Sequence, residues 1–165
     1  MARLLGTARL IVPACQAKPS PKIGQALGPL AVNMMQFCQE FNEKTNEYQE
    51  GIPMRVKLQA YEDRTFQFQL GYPANSWFIK KVVGIEKGSA RTGRDIVGSI
   101  TLKQIYEIAE VKHRDELSWG GLNTSVEGVC RSLVGTCASM GVSVVNDLGE
   151  GGDGDGNPPA EIKKR

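Results

Sequence analysis

Acid is missing from the first 39 residues: four cations (Arg3, Arg9, Lys18, Lys22) precede the first carboxylate, Glu40. Histidine is nearly missing too, with His113 alone, and the four cysteines (Cys15, Cys38, Cys130, Cys137) contain no C-x-x-C pair. These shortages exclude Ser-His-Asp and Cys-His nucleophilic arrangements and leave no zinc or disulfide framework, which needs closer spacing. The thiols read as reduced and partly buried, three of them on helix faces, and His113 as a surface residue at a helix end. No catalytic residue, metal or cofactor is expected. Nor does any apolar run approach the ~18 residues of a membrane-spanning helix.

What is present fits one ordinary domain or two small ones: 165 residues, 41% hydrophobic and 23% charged. The net charge of +2 hides an uneven distribution. Residues 76–114 carry eight cations against four acids, whereas 40–75, 115–146 and 147–165 each sum to −2. Two positive zones on a weakly acidic background point to an anionic partner met by part of the surface.

Periodicity predicts an α+β chain in two parts. A first strand is expected at Ala8–Ala14, after a short leader at 1–7, and a turn-rich segment from Lys18 to Pro29. The run N33-M-M-Q-F-C-Q-E-F-N-E-K44 places Met34, Phe37, Cys38 and Phe41 at i, i+3, i+4, i+7 behind Asn33 as N-cap. Alternation then takes over, with Met54, Val56, Leu58 and Ala60 on one face of a strand and Phe66, Phe68 and Leu70 on one face of the next. The polar link Y61-E-D-R64 makes these a hairpin. One face of that sheet is expected to pack on the Met34–Phe41 stripe, giving an N-terminal α+β domain over 8–71.

A hinge at 72–75, around Tyr72-Pro73, leads into a C-terminal domain over 76–146 with helical periodicity. Three helices with a short strand are expected. One starts at Asn75 or Ser76, and one runs from a Thr101 cap to His113 with Leu102, Ile105, Ile108 and Ala109 inward. The last begins near Thr124 or Ser125 and ends at a Gly141 C-cap, with Val126, Val129, Cys130, Leu133, Cys137 and Met140 inward. V142-S-V-V145 reads as the strand. The glycine- and acid-rich residues 147–165 read as a disordered acidic tail.

Between the first two of these helices lies I85-E-K-G-S-A-R-T-G-R-D-I-V-G98, with three glycines, three cations and two acids. Its G88-S-A-R-T-G93 spacing resembles a phosphate loop, but Arg94 and Asp95 stand where Lys and Ser/Thr are required. Asp153, Asp155 and Asn157 mimic a calcium loop until Pro158 and Lys164 break the pattern. A better reading joins this pliable basic loop to the last helix. Opposite that helix's apolar stripe lie Arg131, Ser132, Gly135, Thr136 and Ser139, and a mid-helix glycine costs about 1 kcal/mol relative to alanine. A face stripped of bulk, beside Lys80, Lys81, Lys87, Arg91 and Arg94, suits the shallow minor groove of folded RNA. The alternative is a free-standing nucleic-acid-binding regulator with a homeodomain-like unit. It would place Arg, Asn or Gln at base-facing helix positions, where this helix has Gly, Thr and Ser.

Several strings together, P19-S-P-K-I-G-Q-A-L-G28, V32-N-M-M-Q-F-C-Q-E-F-N-E-K-T45, D63-R-T-F66, K80-K-V-V-G-I-E-K-G-S89, G98-S-I-T101, E107-I-A109 and G135-T-C-A-S-M-G141, resemble the L-eleven family of large-subunit ribosomal proteins. The resemblance spans about residues 8–146. It implies a non-enzymatic protein at the base of the ribosomal stalk, on the rRNA of the GTPase-associated centre, next to stalk proteins and translational GTPases such as elongation factor G. It implies rRNA contacts at Lys80, Lys81, Lys87, Gly88, Ser89, Gly135, Thr136, Ser139 and Met140, to which the charge pattern adds Arg91, Arg94 and Arg131. It also implies a factor-facing surface with Pro19, Pro21, Gly24 and Gly28. The family's string usually has prolines, linked to thiopeptide antibiotics, where this chain has Lys22 and Gln25. Its last motif usually has an arginine where this chain has Ala138, so one cationic rRNA contact is either missing or supplied by Arg131 or a neighbouring protein.

The acid-free, Arg-bearing opening M-A-R-L-L-G-T-A-R-L has the composition of an organelle-targeting segment. The string E50-G-I-P-M-R-V-K-L58 and the region from E86-K-G88 through K103-Q-I-Y-E-I-A109 look closer to mitochondrial than to bacterial members. A mitochondrial ribosome is therefore the expected location, with bacterial cytoplasm or plastid as the alternative.

Overall fold

The computed structural model describes residues 3–119 and 124–146 and divides the chain into two units, with the boundary between Pro73 and Ala74. The expected acidic tail at 147–165 lies outside the described residues.

In the first unit, β1 (Leu4–Pro13), β2 (Pro53–Tyr61) and β3 (Phe66–Gly71) form an antiparallel sheet in that order. Met54, Val56, Leu58 and Ala60 are buried, as their alternation requires. Two helices lie on that face, α1 (Pro21–Leu27) and α2 (Met34–Thr45). Asn33 caps α2 by accepting from the amides of Met35 and Gln36 at 3.0 and 3.4 Å. The Phe37 ring closes the core, its centroid 5.9 Å from Phe41, 6.3 Å from Phe66 and 5.5 Å from Phe68.

Two expectations change here. The strand starts at Leu4, so Leu4–Thr7, assigned by sequence to a leader, belong to the sheet, with Leu4, Gly6 and Thr7 paired to β2 around a register shift at Leu5. The turn-rich segment contains a helix, because Pro21 stands at the first helical position, where its missing N–H costs nothing.

The second unit packs α3 (Asn75–Val83), α4 (Leu102–Trp119) and α5 (Val126–Met140) around Phe78, Ile79, Ile105, Ile108, Ala109, Val129, Leu133 and Cys137. Thr101 opens α4 with a capping box: its hydroxyl accepts from the Gln104 amide at 3.3 Å, and the Gln104 side chain accepts from the Thr101 amide at 3.1 Å. The helix runs six residues past His113, which is half-buried along it and not at its end. Leu102, expected inward, is exposed. The inward stripe instead continues to Lys112 and Asp115, an ion pair at 3.2 Å inside the core. An unforeseen strand, β4 (Gly98–Thr101), pairs in parallel with β5 (Val142–Val145).

In the β2–β3 turn the Asp63 carboxylate accepts from the Thr65 amide at 3.1 Å and from its hydroxyl at 2.6 Å, while Arg64 takes the left-handed conformation. The Thr65 hydroxyl, foremost, holds the Asp63 carboxyl below its ordinary value. The turn's stabilisation is therefore present above the ordinary carboxylate range and is lost as pH falls through the depressed value. An NMR titration should show Asp63 protonating below an unstructured aspartate, and Thr65→Val should return it toward the ordinary value.

Candidate nucleic-acid interface

The loop between α3 and β4 is fastened at both ends. Gly84, in the left-handed region at φ 76°, ends α3 by donating to the Lys80 carbonyl at 2.9 Å, and Ile85 donates to the same oxygen at 3.0 Å. At the far end the Val97 amide donates to the Gly141 carbonyl at 2.8 Å. In the middle the Ser89 amide donates to the Met140 carbonyl at 2.9 Å. The segment expected to be pliable is thus held against the C-terminus of α5, satisfying carbonyls that a helix end leaves open.

Glycine permits this seam. A β-carbon on Gly88 would come within 3.2 Å of the Met140 carbonyl oxygen. One on Gly141, at φ 74°, would lie 2.6 Å from the Ser89 β-carbon and 2.7 Å from the Asp95 carbonyl oxygen. Inside the loop the Ser89 hydroxyl accepts from the Arg91 amide at 3.0 Å, and the Arg91 carbonyl accepts from the Arg94 and Asp95 amides at 3.1 Å. These turns leave Lys87, Arg91 and Arg94 exposed, and none of them forms an ion pair among the described residues.

Two further cations stand in the last turn of α3. Lys80 is half-exposed and Lys81 exposed, its ammonium 5.9 Å from the Trp77 ring. With Gly84, Ile85 and Glu86 they line an open hollow. On α5, Gly135 is exposed, and a β-carbon there would meet nothing within 4 Å. The Thr136 hydroxyl donates to the Ser132 carbonyl at 2.9 Å and that of Ser139 to the Thr136 carbonyl at 2.7 Å, so both turn acceptor lone pairs outward.

Sequence-predicted site residues therefore fall into groups. Gly88, Ser89 and Met140 meet directly, and Gly135, Thr136 and Ser139 continue the same helix surface. Arg131 differs: its guanidinium pairs with Glu127 at 2.6 Å, both side chains largely exposed. Sequence reasoning treated Gly141 only as a helix end and missed its part in seating the loop. Its signal was the neighbouring glycines at 88 and 98.

In the first unit the proline-rich segment is anchored to α2. The Asn42 side chain accepts from the Ala17 amide at 2.9 Å and donates to the Ala17 carbonyl at 3.1 Å. Pro19, Pro21 and Gly28 are exposed and Gly24 is half-buried. Lys22 and Gln25 share the exposed side of α1. No His, Cys, Asp or Glu grouping fit for a metal occurs among the described residues. Burial pushes the Cys38, Cys130 and Cys137 thiols above their ordinary values, with Glu127 adding to the effect at Cys130, so none is a thiolate nucleophile at neutral pH.

A docked cationic loop beside a helix face cleared of bulk is the kind of surface that suits an anionic partner such as nucleic acid. Comparison with known proteins makes the class specific. Residues 8–66 match the ribosomal protein L11 N-terminal domain and residues 71–144 the ribosomal protein L11 RNA-binding domain. The large ribosomal subunit protein uL11m of Reclinomonas americana is 36% identical over 147 residues, covering 88% of this chain and 97% of that protein. Protein uL11 of Archaeoglobus fulgidus is 39% identical over 135 residues, 82% of either chain, and that of Roseobacter denitrificans 38% over 143 residues, 86% of this chain and 97% of that protein. The chain belongs to the ribosomal protein L11 family. It is a structural protein of the large ribosomal subunit, with an RNA-binding domain and no enzymatic role.

Gly84 and Gly141 separate two effects of glycine. Alanine at either loses about 1–3 kcal/mol for the left-handed backbone, but nothing lies within 4 Å of a β-carbon at Gly84. Gly84→Ala should lower stability and leave the loop seated. Gly141→Ala should also unseat it, read as faster amide exchange at Ser89 and Val97.

Proposed function

We propose that this protein sits at the base of the stalk of the large subunit, on the rRNA of the GTPase-associated centre. There it supports translational GTPases such as elongation factor G in protein synthesis. The second unit grips the RNA, with Lys80, Lys81, Lys87, Arg91 and Arg94 meeting phosphates. Gly88, Ser89, Gly135, Thr136, Ser139 and Met140 form the surface of closest approach, and Arg131 is a reserve cation at its margin. The first unit turns Pro19, Pro21, Gly24 and Gly28 toward the factors and the stalk proteins. The protein acts in the mitochondrial ribosome.

One observation carries the RNA reading: the loop's cations are presented by a backbone seam on the helix that bears Gly135. Counterion release from phosphates supplies affinity, and the uncluttered face supplies fit. The exposed prolines, tied to α2 through Asn42, support the factor-facing role. The acid-free first 39 residues and the likeness to the Reclinomonas americana uL11m protein support the location.

Gly135→Ala tests the assignment, because stability and affinity should move in opposite directions. With open space around it, alanine should stabilise α5 by about 1 kcal/mol and weaken binding to a stalk-base rRNA fragment. Unchanged affinity would remove α5 from the interface. Changing Lys87, Arg91 and Arg94 to alanine should flatten the log–log salt dependence by up to about one unit for each phosphate that is no longer neutralised. Sedimentation of the tagged full chain from fractionated cells should place it with the mitochondrial large subunit, and co-migration with a cytoplasmic or plastid subunit would overturn the location.

A further inference from the structure

The outer face of the three-stranded sheet carries a charge arrangement that the RNA reading does not use. None of the residues of β1, β2 and β3 is acidic. On the face away from the helices, Arg9 stands directly across from Lys57, and Lys57 across from Gln69. Thr7, Gln59 and Gln67 form the next row. Two like charges directly opposite each other destabilise a strand pair. Neither Arg9 nor Lys57 has an ion pair among the described residues. Arg55, one row further, is already engaged, donating to the Tyr72 carbonyl at 2.7 Å.

The β1 edge beside this row is open: among the described residues no strand pairs with its outer side. The backbone groups that face outward follow from the register. Pro13 and Pro53 stand opposite each other and neither has an N–H, while the Ala14 amide donates to the Ile52 carbonyl at 2.8 Å. Alternation in an antiparallel ladder then gives Val12, Leu10 and Ala8 to the bonds with β2 and points the N–H and C=O of Ile11 and Arg9 away from it. Ile11 is 71% exposed, and the inward-facing Ala8 and Leu10 are only half-buried.

We propose that this edge accepts an extended acidic segment of another protein as a fourth strand. The added strand would place a carboxylate across from Arg9, within reach of Lys57, and an aliphatic side chain two residues away across from Ile11. Backbone pairing supplies affinity in such strand addition, and the alternate side chains supply selectivity. A second copy of this chain is disfavoured, because two β1 edges would gather two Arg9 and two Lys57 side chains with no carboxylate between them. RNA has no use for the Ile11 side chain or for alternating outward N–H and C=O groups. The proposal is independent of the RNA-binding role of the second unit.

The test uses the isotope-labelled full chain and a capped dodecapeptide of Glu-Thr-Val-Thr repeats, one face of which alternates Glu with Val at every second residue, with a Lys-Thr-Val-Thr peptide of equal length and a ten-nucleotide oligouridine as comparisons. The Glu-Thr-Val-Thr peptide is expected to shift the Arg9 and Ile11 amides and slow their exchange, with affinity falling as salt rises. Arg9→Glu should weaken binding at least about tenfold, the scale of one lost charge-assisted hydrogen bond. Ile11→Pro should abolish it with little change in melting temperature, since that N–H makes no bond to β2. Arg9→Gln serves as a second, milder variant that keeps the strand. Shifts confined to residues 87–94 or to the β3 edge would overturn the proposal. So would tighter binding of oligouridine at Arg9 and Lys57, or the same shifts produced by protein concentration alone.

Discussion

The end of α5 has to meet the backbone of the basic loop, and two glycines make that meeting possible. Helix carbonyls at Met140 and Gly141 need donors, and the Ser89 and Val97 amides supply them at 2.9 and 2.8 Å. The exchange satisfies both partners without side chains, which is why residues 88 and 141 tolerate so little bulk. Three consequences follow from that one seam. The loop's turns are fixed, so its cations point outward. β5 leaves α5 in a direction that lets it pair with β4. The surface that carries Gly135 becomes continuous with the surface that carries the charge.

The first unit solves a parallel problem differently. Its proline-rich segment has few backbone donors, so it cannot be held by a ladder. Instead the Asn42 amide reaches from α2 and takes both polar groups of Ala17. Cys15 contributes as well, its left-handed backbone donating to the buried Thr45 hydroxyl at 3.1 Å. A segment held by side chains keeps its prolines at the surface, whereas one held by a strand would have turned alternate residues inward.

Much of this was legible in the sequence where one period dominates. The β2 alternation, the Phe37–Phe41 stripe, the Asn33, Thr101 and Ser125 caps and the Gly141 stop each rest on local chemistry, and the structure keeps them. Elements that depend on a distant partner were not legible. β4 is four residues long and exists because β5 lies beside it. The inward place of Lys112 and Asp115 was not legible, because their stripe reads as apolar only up to Ala109. The first strand was placed too late because Leu4–Thr7 includes Gly6 and a register shift, which blur its alternation. In the interface, charge and small residues were visible in the sequence. The junction between them is made by backbone atoms, which side-chain patterns do not report.

Charge also has to be recounted once the fold is known. The basic zone of residues 76–114 owes part of its excess to Lys112, which is buried and paired with Asp115 and so contributes nothing at the surface. On α5, Arg131 faces Glu127 across one turn, so that turn is neutral overall, and position 138 is an uncharged alanine. An exposed i, i+4 pair is worth only about 0.3–0.5 kcal/mol, so the guanidinium is easily redirected, but the Glu127 charge stays behind. The helix face that carries Gly135 therefore brings shape and hydroxyls with almost no positive charge of its own. Any attraction it exerts on an anionic partner has to come from Lys80, Lys81, Lys87, Arg91 and Arg94, and the last three are where they are because the seam holds them. In this chain the glycine at the end of the last helix is thus an electrostatic determinant, although it carries no charge.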